Sequence, residues 1–422
     1  MANRRPALQA SVTYLTILSV SSLCAAAAAS AATLTTIHTF TGAPDGANPV
    51  AGVLAGPGGV LHGTNIFGGA ETCKYTAVPQ GCGTVFSLAP PAASGEPWTE
   101  YVYSLSANGV GSGPYGGLVE KDGVLYGTTL GGGGSVFSLT PPNASNPQWS
   151  EVRLDGGAPP LIYPYDTPAI GANGVLYVTT WEGGTTFDSA GDLISLTPPA
   201  SPGGSWTTTV LCALGGPETG VVFGSGGVLY GTTGNSVYSV TPPASPGGAW
   251  TPTTLYSFTG PPGDGIDTSA GVVIGAGGVL YGTTSYGGTG SCTNGIFKSG
   301  CGTVYSLKPP AEAGGAWAEQ ILYSFAGGSD GFVPNAVVIG PGGVLYGTTH
   351  EGGASNAGIV FSLRPPATEG GAWTETVLHT FTGGNDGGGP LGGLAFGPGN
   401  ALYGTTYSGG SSNQGTVFAL TP

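Results

Sequence analysis

The sequence predicts an all-β fold, a seven-bladed β-propeller of four-stranded blades closed by the N-terminal strand joining the last blade. Three observations lead there. A short phrase, cleanest as Gly278-Val279-Leu280-Tyr281-Gly282-Thr283-Thr284, is written seven times, with its aromatic position at His62, Tyr126, Tyr177, Tyr230, Tyr281, Tyr346 and Tyr403. Those positions lie 64, 51, 53, 51, 65 and 57 residues apart, a period that belongs to repeat architectures. The repeats also start and stop out of phase. The last one lacks its final apolar run, and Leu34-Thr35-Thr36-Ile37-His38-Thr39-Phe40 at the other end matches residues 374–381. A linear array gives no reason for that offset; a ring of sheets does, because the shared blade leaves no open edge.

Each full repeat holds four apolar runs. In the sixth these are Ala336-Val337-Val338-Ile339, then the phrase at residues 344–349, then Gly358-Ile359-Val360-Phe361-Ser362-Leu363, then residues 373–381 beginning at Trp373. All four are short, rich in β-branched and aromatic residues and bounded by Gly/Pro signals, which is the pattern of strands. The third run recurs at Gly83, Gly134, Gly191, Asn235, Gly302, Gly358 and Gly415, and the fourth opens on Trp98, Trp149, Trp206, Trp250, Trp317 and Trp373. The 83 glycines and 35 prolines would suggest disorder in a polar chain. With 40% hydrophobic and 7% charged residues they read instead as turns between many short strands.

Residues 1–32 read as a secretory signal peptide: Arg4 and Arg5, a mostly apolar stretch over 12–24, and small residues over 25–32. The apolar stretch is too short for a membrane span, so no span is expected once the leader is removed. The domain plan is thus 1–32 as leader and 33–422 as propeller, in a secreted, periplasmic or cell-surface protein expected to be a monomer. The net charge of −14 repels phosphate backbones and argues against a nucleic-acid partner. Cys73 and Cys82 are nine apart, as are Cys292 and Cys301, each pair just ahead of a third run. The same insertion at the same place in repeats 1 and 5 predicts two loop disulfides, 73–82 and 292–301. Cys212 is left over and reads as a buried free thiol.

The string Gly-Val-Leu-Tyr-Gly-Thr-Thr, then Gly-Gly, then Gly-Thr-Val-Phe-Ser-Leu, in register at residues 281–284 and 302–307, resembles the GloVer tandem repeat of exported bacterial proteins. The resemblance runs from about residue 34 to Pro422. It implies export and a repeat scaffold, and it brings no catalytic residue and no cofactor.

In a propeller the loops after the second and fourth runs open on one face, and here that face carries the sequence variation, as loops with function do. Candidate ligand-binding residues on it are Trp181 and Glu182 (with Asp188) in repeat 3, and the neighbours His350 and Glu351. Asp45, Asp264, Asp330 and Asp386 each precede Gly at one point of the repeat and are expected near the mouth of the central channel. As a ring they would hold a divalent cation such as calcium, or a cationic ligand; as Asp-Gly turns they need no ligand, and the turn reading is favoured. The function expected is a non-catalytic exported scaffold binding a glycan or protein on the variable face. The alternatives are a polysaccharide lyase or hydrolase with its site at the channel mouth, and a cation-dependent adhesion protein.

Overall fold

The computed structural model describes residues 32–422 except 74–80, 94, 107–108, 143–147, 157–162, 165, 183–190, 202, 246, 269, 293–299, 313 and 369. Asp188 and all of the expected leader but Ala32 lie outside the described residues. The chain forms seven four-stranded antiparallel blades, numbered here by the order of the phrases. Blade 1 comprises Leu54–Ala55, Leu61–Asn65, Thr84–Ala89 and Thr99–Ser104 from the axis outward. Blade 7 comprises Ala395–Phe396, Leu402–Thr406 and Thr416–Thr421, with Thr33–Thr39 as its outer strand. That pairing runs from Thr33 opposite Thr421 to Thr39 opposite Thr416, so the ring closes on its own first strand.

The wording of the phrase follows from packing. A Cβ at Gly282 would lie 2.4 Å from the Tyr305 hydroxyl, and one at Gly347 would lie 2.6 Å from Phe361 Cζ. The glycine therefore makes room for the aromatic ring of the third strand. That ring meets a buried phenylalanine just past the outer strand of the preceding blade: Phe40 on Phe86 at 5.1 Å between centroids, Phe258 on Tyr305 at 4.8 Å, Phe325 on Phe361 at 5.2 Å and Phe381 on Phe418 at 5.3 Å. The first threonine reaches across the next junction. Thr64 Oγ1 donates to the Gly116 carbonyl (3.0 Å), Thr128 to Asp166 (3.0 Å), Thr179 to Thr219 (3.0 Å) and Thr405 to Ala51 (2.9 Å). The second pairs within the blade, as Thr284 with Thr303 (2.8 Å) and Thr406 with Thr416 (2.9 Å). The phrase tyrosine takes the outer-strand tryptophan of the following blade edge-on, as Tyr230 takes Trp317 at 6.0 Å.

Two features differ from the sequence reading. The inner strands are shorter than their apolar runs: Val338–Ile339 is all that pairs from the run beginning at Ala336. Upstream of it the backbone turns to its neighbours, with Asn335 N–H donating to the Thr348 carbonyl and the Asn335 carbonyl accepting from Thr283. Short extra strands also form on the variable face, Gly265–Ile266 against Tyr286–Gly287 and Phe332–Pro334 against Leu345–Glu351. No helix in the described residues is long and apolar enough to cross a membrane.

Candidate functional site

The site is built from a three-residue frame a few residues ahead of each inner strand. Its first position has a left-handed backbone in every blade: Asn48, Gly113, Tyr163, Gly216, Asp267, Val333 and Gly389, with φ between 56° and 88°. For an L side chain that conformation costs about 1–2 kcal/mol, so four blades tolerate strain that glycine avoids in the other three. The second position is Pro, or Thr268 in blade 5. Five of these prolines lie over the glycine that precedes the third strand of the previous blade. A Cβ at Gly83, Gly191, Gly302, Gly358 or Gly415 would come within 2.4–2.9 Å of Pro114, Pro217, Pro334, Pro390 or Pro49.

So held, the third position faces the channel mouth. It is Val50 in blade 1, Tyr115 in blade 2, Glu218 in blade 4, Asn335 in blade 6 and Leu391 in blade 7. The matching Tyr165 and Ser269 lie outside the described residues. Around this ring Trp181, Pro217 and Asp267 complete a cavity of about 380 Å³. It continues into a channel cavity of about 540 Å³ whose wall is largely backbone and small residues, including Gly52, Gly220, Gly271 and Gly393. The inner strands come so close there that a Cβ on Gly52 would sit 2.2 Å from the Gly393 carbonyl oxygen. Asp166 also lines the channel and ties blade 3 to blade 4, accepting the Thr167 and Gly220 N–H groups at 2.6 and 2.7 Å.

Trp181 is 52% exposed, with its backbone N–H donating to the Tyr163 carbonyl at 3.0 Å; Tyr163 is itself exposed. Among the described residues lining either cavity there are carboxylates and an amide but no His, Lys, Arg or Cys. The mouth is thus an acidic, aromatic bowl.

Of the candidates named from sequence, only Trp181 lines this bowl. Glu182 is exposed beside it and lines neither cavity. His350 and Glu351 end the second strand of blade 6, where the His350 ring packs toward Gly389 and Glu351 pairs with Phe332. The four aspartates do not gather at the mouth. They close the turns after the outer strands, because their carboxylates accept the turn N–H groups: Thr41 to Asp45 (2.8 Å), Thr259 to Asp264 (2.7 Å), Ala326 to Asp330 (2.6 Å) and Thr382 to Asp386 (3.0 Å). Each also faces an outer-strand ring, His38, Tyr256, Tyr323 or His379. Both disulfides are formed, Cys73–Cys82 and Cys292–Cys301, and Cys212 is free and only partly buried.

Residues 289–422 match the Gloeobacter/Verrucomicrobia repeat. The chain carries this repeat over those residues. No curated protein matches it in sequence. Among solved structures the repeat protein is similar to virginiamycin B lyase from Staphylococcus aureus, in a catalytically inactive form with quinupristin, at 14% identity and a TM-score of 0.54, over 93% of this chain and 99% of that one. It is also similar to the extracellular domain of a chain assigned as a hybrid two component system from B. thetaiotaomicron, at 10% identity and a TM-score of 0.52, over 91% of this chain and 40% of that one. At such identities the likeness is one of fold.

Proposed function

We propose that this repeat protein is an exported, non-catalytic scaffold that binds a neutral or amino-bearing glycan in the bowl at its channel mouth. One observation carries the reading. The blades repeat one another at the phrase and at the proline, and lose that symmetry at the ring position, where Val, Tyr, Glu, Asn and Leu take turns. Trp181 and Tyr115 offer aromatic faces to a sugar ring, and Glu218, Asp267 and Asn335 offer acceptors for its hydroxyls. The acidic mouth and the net charge of −14 oppose a polyanionic polysaccharide. Export is supported by the leader-like residues 1–32 and by the disulfides.

A second reading has an observation of its own. Glu218 and Asp267 both line the mouth, and paired carboxylates hydrolyse glycosides. The lyase neighbour supplies precedent for the fold alone. A glycan array followed by titration of the best binder tests both. The Trp181→Ala variant is expected to bind about tenfold more weakly, in line with the loss of one aromatic contact of about 1.4 kcal/mol, and the bound glycan is expected to be recovered intact. No bound glycan, or equal binding by the variant, sinks the binding reading. Shortened glycan that depends on Glu218 moves the assignment to the hydrolase.

A further inference from the structure

The rim carries a second repeated arrangement, and one copy of it differs in chemistry. At a blade junction an outer-strand ring, the turn aspartate after it and a residue of the next outer strand meet. Between blades 4 and 5 they are Tyr256, Asp264 and Glu319; between blades 5 and 6 they are Tyr323, Asp330 and Glu375. There the phenol donates to the aspartate, at 3.3 Å from Tyr256 and 2.6 Å from Tyr323. Between blades 6 and 7 His379 Nε2 lies 3.1 Å from Asp386 Oδ2, and Leu34 holds the glutamate's register position, opposite Leu420 as Glu375 is opposite Leu363. At the closing junction, between blades 7 and 1, an imidazole faces two carboxylates: His38, Asp45 and Glu100.

The geometry there is that of ligands around a point. His38 Nε2 lies 3.2 Å from Glu100 Oε1 and 3.7 Å from Asp45 Oδ1, and one ligand atom from each residue lies within 4.8 Å of the others. Nε2, Oδ1 and Oε1 are all shielded from solvent, and none has a hydrogen-bond partner outside the cluster. The other oxygen of Asp45, Oδ2, takes the Thr41 N–H and hydroxyl at 2.8 and 3.0 Å, which leaves Oδ1 for the cluster. In each of the other three turns both aspartate oxygens are taken up within the junction. A tetrahedral zinc site with bonds of about 2.1 Å has edges of about 3.4 Å, between the two measured nitrogen–oxygen separations.

We propose that His38, Asp45 and Glu100 bind one divalent transition-metal cation of the zinc class, with water in the fourth position. Calcium is a poorer fit, since it takes six to eight oxygens. The cation joins three segments: the N-terminal strand Thr33–Thr39, the turn after it, and the outer strand Thr99–Ser104 of blade 1. All three ligands lie on one side of the pairing with Thr416–Thr421 that closes the ring, so the cation fixes the closing strand, through His38, to blade 1.

The test uses the whole chain stripped with chelator, titrated with zinc chloride by calorimetry and melted with and without the ion. The expected result is one strong site and a rise in melting temperature of about 3 °C at saturating zinc, with little response to calcium chloride at equal concentration. The His38→Tyr variant installs the ring that Tyr256 and Tyr323 already carry at this strand position, so it should fold while losing at least about tenfold in zinc affinity. His379→Tyr should keep the wild-type response. Should His38→Tyr fail to fold, Glu100→Gln serves in its place. Absence of a strong site in the wild type, or a zinc response unchanged in His38→Tyr or Glu100→Gln, overturns the proposal.

Discussion

Glu319 and Glu375 show how much one buried side chain carries at the rim. Burial, with Asp264 beside the first and Asp330 beside the second, pushes each carboxyl up from 4.5 to about 7. A folded-state value above the unfolded one means the native state holds the proton more tightly. The resulting stability is complete below pH 4.5 and is lost as pH rises through about 7. Melting temperature should therefore fall over that interval, and the double variant Glu319→Gln, Glu375→Gln should flatten the slope, as thermal melts at a series of pH values would show. Asp267 allows a cleaner separation of site from scaffold. Its place in the frame is glycine in blades 2, 4 and 7, all at positive φ. Asp267→Gly should keep or slightly raise the melting temperature while weakening glycan binding severalfold; an unchanged affinity would remove Asp267 from the site. His62 shows the opposite case, a phrase aromatic replaced without a role in chemistry. Its Nδ1 lies 2.7 Å from Ser87 Oγ, and burial lowers it to about 4, so it is neutral at ordinary pH.

At the scale of the strand, the phrase is legible in sequence because every word of it answers a packing demand that recurs seven times. Replacing Gly347 by Ala would force a methyl to 2.6 Å from the Phe361 ring and should cost about 1–3 kcal/mol, read as a drop in denaturation midpoint. Thr405→Val would strip the Ala51 carbonyl of its 2.9 Å bond at the closing junction and should cost about 1 kcal/mol, since a partly buried acceptor is left unpaired. The shortened inner strands and the extra pairs on the variable face were not legible. The Asn335 carbonyl is taken by Thr283 of the preceding blade, and Gly265 pairs with Gly287 inside its own blade; a pattern read along one strand carries no record of such partners. The ring of third positions was legible in principle: an aligned frame shows one column that varies between Val, Tyr, Glu, Asn and Leu beside an almost invariant Pro. What hid it was the assumption that repeated aspartates mark the channel, when the turn they close sits beside the outer strand.

For the whole molecule, the decisive contact is between its two ends. Deleting the strand Thr33–Thr39 would leave Thr416–Thr421 as an open edge and uncover the core around Phe418 and Leu420. Such an edge recruits other chains, so the truncated protein should elute at a larger size than the full chain or precipitate; a well-folded truncated chain of undiminished stability would count against closure as a source of stability. The sequence by itself determined the blade number, the four-strand unit, the closing strand and both disulfides, because each is a local pattern counted along the chain. Only the tertiary structure decided which side chains meet: Trp181 with the ring residues of five blades at the mouth, and His38 with Asp45 and Glu100 at the closing junction. Those encounters depend on how far each blade turns about a common axis, and that angle is set by packing between sheets, which no spacing in the chain records.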